Sequence, residues 1–131
     1  MYQGTYHSKQ RHEPDLDLVL QRAYDKGVNN IISLAGTIKE SEELMELICN
    51  LDSSNNNGSK VQVFGTVGVH PTRCGEVFAD KLISSTTDDE KASTTWVPKT
   101  DSQLNDIKQQ LIKLATKGKQ AGNVVAIGEC G

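Results

Sequence analysis

Two short apolar runs share one design. Val61 to Val69 (V-Q-V-F-G-T-V-G-V) is apolar almost throughout and stops at His70-Pro71-Thr72-Arg73-Cys74. Val124 to Gly128 (V-V-A-I-G) stops at Glu129-Cys130-Gly131. Apolar runs this brief and this rich in β-branched residues predict buried strands, each handing a polar side chain to whatever lies beyond its carboxyl end. A third run, Val28 to Ala35, closes at Gly36 and predicts another strand. Elsewhere the apolar period lengthens to that of a helix. Leu16, Val19, Leu20 and Ala23 predict an amphipathic helix that starts at His12-Glu13-Pro14-Asp15 and stops at Gly27. Leu44, Leu47, Ile48 and Leu51 mark a second helix, opened by the capping-box spacing of Thr37-Ile38-Lys39-Glu40. Leu104, Ile107, Leu111 and Leu114 mark a third, broken by Gly118 and Gly122. Asp52 to Lys60 is a polar surface loop, and Glu76 to Ile83 has room for one or two helical turns. Ser84 to Thr100 is polar and aperiodic apart from Trp96 and Val97, which predicts an inserted, flexible loop.

The order is therefore α-β-α-β-(loop)-α-β. Apolar strands alternating with helices predict a parallel sheet, because each crossover helix must cover a sheet face. In such sheets ligands gather beyond the carboxyl ends of the strands, where His70 and Glu129 fall. Gly65 and Gly68 lie inside the central strand and weaken its propensity, so something needs the backbone to approach closely there.

Glu129 is the strongest candidate. A carboxylate leaving a strand at this position can bind one divalent cation or bridge two; the structural alternative is a helix cap or a lysine pair. His70 suits contact with a substrate phosphate or support of a metal, and equally suits a satisfied loop histidine. Arg73 has the planar fork that recognises phosphate, against the alternative of an ion pair with Glu76. Cys74 and Cys130 read as small buried fillers, since no base stands near them in sequence. His7 and His12, in a polar amino-terminal segment, read as surface residues.

Composition narrows the class. The 131 residues are 36% hydrophobic and 24% charged, enough for one modest core. No run approaches the roughly 18 apolar residues of a membrane span, and the first residues lack the apolar block of a secretory signal. Three widely spaced cysteines fit no disulfide framework, so reduced thiols in an intracellular setting, cytoplasmic or nuclear, are expected. A net charge of -3 argues against gripping nucleic acid by counterion release alone, although metal ions can supply positive charge locally. No P-loop, G-x-G-x-x-G, G-x-S-x-G or H-E-x-x-H is present.

At T-V-G-V-H-P-T-R-C, followed by V-V-A-I-G-E-C-G, the chain resembles the amino-terminal part of the TatD-type metal-dependent deoxyribonucleases, of the eukaryotic branch. The first loop and helix (M-Y-Q-G-T-Y-H-S-K-Q-R-H with D-L-D-L-V-L-Q-R-A) and I-I-S-L-A-G-T-I-K-E-S resemble that branch as well. The resemblance implies an α/β fold, a partial (β/α)8 TIM barrel of the metal-dependent hydrolase type with about three βα repeats. It implies that residues 1–131 form an incomplete domain of this kind, with a flexible insertion at 84–100. It also implies a divalent metal ion (Mg2+, Mn2+ or Zn2+), Glu129 as a metal ligand, His70 on the substrate side of the mouth, and DNA as substrate in the complete protein. Arg73 is the substrate-phosphate candidate.

Departures from the family pattern shape the expectation for activity. The family's first strand with its own ligands, and its later histidines and aspartate, have no counterpart between Met1 and Gly131. The chain is therefore expected to be truncated and inactive alone, with one metal ligand. Two other readings stand beside it. One is a non-enzymatic remnant or interaction module that self-associates through exposed barrel strands. The other is a related hydrolase acting on a small cyclic amide.

Overall fold

The computed structural model describes residues 5–6, 9–53, 60–84 and 93–130. A two-residue pair, β1 (Thr5–Tyr6) and β2 (Lys9–Gln10), precedes helix α1 (Leu16–Asp25). Strand β3 (Asn30–Ser33), helix α2 (Ile38–Ser53) and strand β4 (Gln62–Val69) follow. A 3-10 turn (Pro71–Arg73) and helix α3 (Cys74–Phe78) lead into an antiparallel hairpin, β5 (Ala79–Ser84) and β6 (Ser93–Pro98). Helix α4 (Asp101–Gln120) and strand β7 (Val124–Cys130) complete the order.

β3, β4 and β7 form one parallel sheet in that spatial order. Each new strand is added on the same side of the last, and α2 and α4 pack against β4 and against each other, so both cover one face. A doubly wound sheet would reverse direction and place helices on both faces; this winding is that of a barrel wall. The predicted α/β fold of a partial (β/α)8 barrel is the one observed.

The core lies between the sheet and α2 and α4. Leu44 and Ile48 of α2 pack with Ala35, Leu47 and Val63 over the β3–β4 side. Met45, one residue on from Leu44, turns toward β4, β7 and α4, meeting Val67, Val124, Leu111 and Leu114. One helix thus serves two core clusters, because its apolar stripe is wide enough to straddle β4. Leu44 and Ile48 also explain Gly65: a Cβ there would lie 3.1 Å from Leu44 Cδ2 and 3.2 Å from Ile48 Cδ1.

Several sequence expectations change. α1 begins at Leu16, so Pro14 stands just outside it, and Asp15 is the N-cap without a side-chain cap bond. The residues expected to form helical turns from Glu76 to Ile83 divide, with α3 ending at Phe78 and β5 taking over at Ala79. The loop expected over 84–100 contains β6, paired residue by residue with β5, and ends at Thr100 as the N-cap of α4. Its threonines and Trp96-Val97 are good strand formers once a partner strand is available, a non-local condition the local pattern could not supply. Thr100 and Gln103 form a complete capping box. Gly118 does not break α4; it lies buried within the helix against Val124, and the stop falls at Gly122 with φ +76. Of the loop expected from Asp52 to Lys60, Asp52 and Ser53 belong to the last turn of α2 and 54–59 lie outside the described residues, as do His7 and 85–92 of the insertion. No helix among the described residues is long and apolar enough to cross a membrane.

Candidate active-site mouth

The carboxyl ends of the three parallel strands meet at a shallow, open depression lined in part by Gly36, Glu40, His70, Thr72, Arg73 and Glu129. β4 delivers His70 and β7 delivers Glu129. The two elements can close on each other because of Gly68. A Cβ on Gly68 would lie 2.5 Å from the carbonyl carbon of Gly128 and 2.7 Å from its oxygen, so only glycine lets the end of β7 come this near. The result is that His70 Nε2 lies 3.3 Å from Glu129 Oε2, the two side chains being 40% and 42% exposed.

His70 is held by its own turn. Its Nδ1 accepts the Thr72 backbone N–H at 3.1 Å, capping the 3-10 turn, and stands 2.8 Å from Thr72 Oγ1. An Nδ1 that accepts a backbone donor carries no proton, so the neutral ring carries it on Nε2, the nitrogen facing Glu129. The His70 backbone N–H donates to Gly36 O at 3.0 Å, which ties this turn to the end of β3.

Glu40 completes the tie. Thr37 Oγ1 accepts from Glu40 N–H at 3.1 Å, the first half of the predicted capping box. The Glu40 carboxylate reaches one residue further back than expected, accepting from Gly36 N–H at 2.9 Å. Its other oxygen accepts from Arg73 Nη1 at 3.0 Å, and Arg73 Nε donates to Glu76 at 2.7 Å. Arg73 is therefore sandwiched by two carboxylates, and the Glu76 alternative weighed from sequence is realised. Two of its nitrogens are committed to protein rather than aimed at a phosphate. The hydrogen bond to Glu76 is the main cause that raises the Arg73 guanidinium above its ordinary range, with partial burial opposing it and the Glu76 and Glu40 charges adding to the rise. The same bond holds the Glu76 carboxyl below the usual glutamate value, again against partial burial and with the help of the Arg73 charge.

Glu40 and Thr72 are the mouth residues that sequence reasoning passed over as site groups. The signal for Glu40 was present, since it sits in the first turn after a strand end, at the level of His70 and Glu129. Thr72 was masked because its role runs through its backbone N–H. Among the cysteines, Cys74 is half-buried with Sγ 3.6 Å from His70 O, whereas Cys130 is exposed, not the buried filler expected. His12 is on the surface as expected.

The donor set limits what the mouth can hold. Glu129 is a hard oxygen donor of the kind magnesium or manganese takes, and His70 Nε2 faces it. Yet no group of three or more His, Cys, Asp or Glu side chains converges to hold a metal ion among the described residues. With the His70 lone pair spent on Thr72 and its Nε2 carrying a proton, Glu129 alone does not meet the four or six donors that a resident divalent cation requires, so these residues do not fit one. The charge balance of the lining is nevertheless cation-seeking, with Glu40 and Glu129 set against the guanidinium of Arg73.

The sequence model described as TatD related DNase matches residues 5–131, nearly the whole chain. The chain belongs to the TatD-related DNase family. Across its full length it is 29% identical to Deoxyribonuclease Tat-D of Schizosaccharomyces pombe, of which it covers 33%. Over 80 residues, 61% of the chain, it is 36% identical to Deoxyribonuclease Tat-D of Saccharomyces cerevisiae, covering 18% of that protein. The crystal structure of a TatD-family hydrolase from Entamoeba histolytica superposes on 98% of the chain with a TM-score of 0.63 at 30% identity, and the match spans 32% of that protein. This TatD-family chain thus spans about a third or less of the length of the relatives it matches.

Proposed function

We propose that this chain forms one wall of the mouth of a metal-dependent phosphodiesterase acting on DNA, and that alone it does not turn over. The observation that carries the reading is the convergence of His70 and Glu129 at the carboxyl ends of adjacent parallel strands, 3.3 Å apart. In this reading Glu129 is the oxygen donor to a divalent cation. The Nε2–H of His70, which the Nδ1 cap fixes toward Glu129, is donated to a phosphoryl oxygen of the substrate once Glu129 is taken up by the cation. Arg73 acts first as the bracket between Glu40 and Glu76 and meets a phosphate only if one of these carboxylates yields. The remaining metal donors come from polypeptide outside the described residues. The reduced cysteines suit an intracellular compartment.

The cation-seeking charge of the mouth supports the requirement for metal, since two carboxylates beside one guanidinium disfavour a bare phosphodiester. A second reading, a non-enzymatic module that self-associates through its open sheet edges, draws on the absence of a three-donor group among the described residues.

The test uses manganese as both spectroscopic probe and cofactor. The purified chain is expected to bind Mn2+ weakly, with roughly millimolar affinity typical of a site with too few protein ligands, by electron paramagnetic resonance. Glu129→Gln should abolish that binding, and neither protein should cleave single-stranded DNA. Equal manganese binding by the parent and Glu129→Gln would overturn the role of Glu129. Metal-dependent cleavage by the parent, lost in the variant, would overturn the claim of inactivity.

A further inference from the structure

On the helix-covered side of the sheet, α2 and α4 leave between them an open groove of about 710 Å3 that reaches Asn123 at the amino end of β7, away from the mouth. Two rows of charge face each other across it. Glu42, Glu46 and Cys49 line it from α2 at successive helical turns, and Lys113 and Lys117 line it from α4 at the same spacing. None of these four charged side chains forms an ion pair among the described residues. The groove therefore holds apart opposite charges that would pair if the helices closed on each other, and its volume is in the range that takes a small organic ligand.

Asn123 also lines the groove and is only 8% exposed. Its backbone by itself joins the end of α4 to the sheet: the N–H donates to Gly118 O at 2.9 Å and the carbonyl accepts from Gly65 N–H at 2.7 Å. The side chain has a separate task. Its Nδ2 donates to Cys49 Sγ at 3.4 Å, whereas its Oδ1 accepts no hydrogen bond among the described residues. A buried amide oxygen without a donor is costly, and this one belongs to the carboxamide that touches an exposed thiol. A ligand that offers an N–H to Oδ1 is thereby brought up to Sγ.

We propose that this groove is a thiolation site, at which Cys49 exchanges disulfide with a small cysteine-bearing peptide of the glutathione class. Such a peptide carries carboxylates for Lys113 and Lys117, an ammonium for Glu42 and Glu46, and a backbone N–H next to its sulfur for Asn123 Oδ1. In the exchange Cys49 gives its proton to solvent, and the thiolate attacks one sulfur of the peptide disulfide. The protein–peptide S–S bond forms as the S–S bond of the reagent breaks, and the departing peptide thiolate takes up a proton. Cys49 is oxidised and one half of the reagent is reduced, so an excess of free thiol runs the step backward. The inference is independent of the DNA reading, because the groove and the mouth share no lining residue.

The test treats the reduced full chain with glutathione disulfide and, separately, with the uncharged hydroxyethyl disulfide, and locates the adducts by peptide mass mapping. Glutathione is expected on Cys49. Lys113→Gln combined with Lys117→Gln should slow that reaction about tenfold, the worth of one charge-assisted contact, while the rate with hydroxyethyl disulfide stays unchanged. A lysine that acted only on the thiol or only on the fold would change both reagents alike. Raising the salt concentration should erase the difference between the parent and the double variant. Circular dichroism checks that the variant is folded. No glutathione on Cys49, an unchanged rate in the folded double variant, or an equal loss with both disulfides would overturn the inference.

Discussion

At the scale of single residues, the chain uses glycine where two backbones or a helix and a strand must nearly touch. Gly68 is required by the approach of Gly128 and Glu129, and without it Glu129 would be held away from His70. Gly118 poses the sharper test because it lies inside α4. Replacing a mid-helix glycine with alanine ordinarily stabilises a protein by about 1 kcal/mol through helix propensity. Here the new methyl would press into Val124, 2.8 Å from its Cβ, and lie 3.3 Å from the Met45 sulfur, in a cluster where both side chains are buried. Overpacking of a filled core costs roughly 1–3 kcal/mol, which exceeds the propensity gain. Gly118→Ala is therefore expected to lower the urea midpoint of unfolding, and a raised midpoint would show that Val124 moves aside freely.

At the scale of elements, the mouth is assembled by a bracket that joins the start of α2 to the turn after β4. Arg73 spans it, bound to Glu40 on one side and Glu76 on the other. Glu76 titrates below its ordinary value in the folded protein, chiefly because of the Arg73 hydrogen bond, so the unfolded chain binds the proton more tightly. Stability from this contact is fully present above the unfolded value near 4.5 and is lost as the pH falls through the lower folded value. The Arg73 shift is upward from a value already far above neutrality, so the arginine stays charged throughout this range. The parent is accordingly expected to exceed Glu76→Gln in stability by a constant small margin above that pH and by a shrinking one below it, in urea unfolding at a series of pH values. A margin that does not change between neutral and strongly acidic solution would disprove the assignment.

The same scale shows why part of the architecture was readable in the sequence and part was not. β3, β4, β7 and the apolar faces of α2 and α4 depend on local period and composition, and their register follows once each helix must cover the sheet. His70 and Glu129 were legible as strand-end groups from the abrupt change from Val and Ile to His-Pro and Glu. β6 was not, because Ser93–Pro98 becomes a strand only through pairing with β5. The Glu40–Arg73 contact joins residues 33 positions apart, a separation at which no spacing rule operates. Gly118 was misread for a related reason: a glycine in a helix looks like a stop until the side chain packed against it, from a strand that begins after the helix ends, is known.

At the scale of the whole molecule, the three-stranded sheet has two edges, β3 and β7, neither paired with a further strand among the described residues. Ile32 and Leu34 by β3 are 57% and 62% exposed, and Val125 and Ile127 on β7 are 50% and 65% exposed. Apolar strands with unpaired backbone donors and acceptors are templates for pairing with another chain, and lysine placed on such an edge is the usual means of blocking it. The isolated chain is therefore expected to associate with itself through β7, its mass by static light scattering rising with concentration. Val125→Lys with Ile127→Lys should bring it back toward the monomer mass with its helical circular dichroism intact, because both side chains are already half or more in solvent. A parent that stays monomeric over the accessible concentrations would rule out this edge as an association surface. Association that persists unchanged in the double variant would point instead to the opposite edge at β3, and Ile32→Lys would then be the substitution that disperses it.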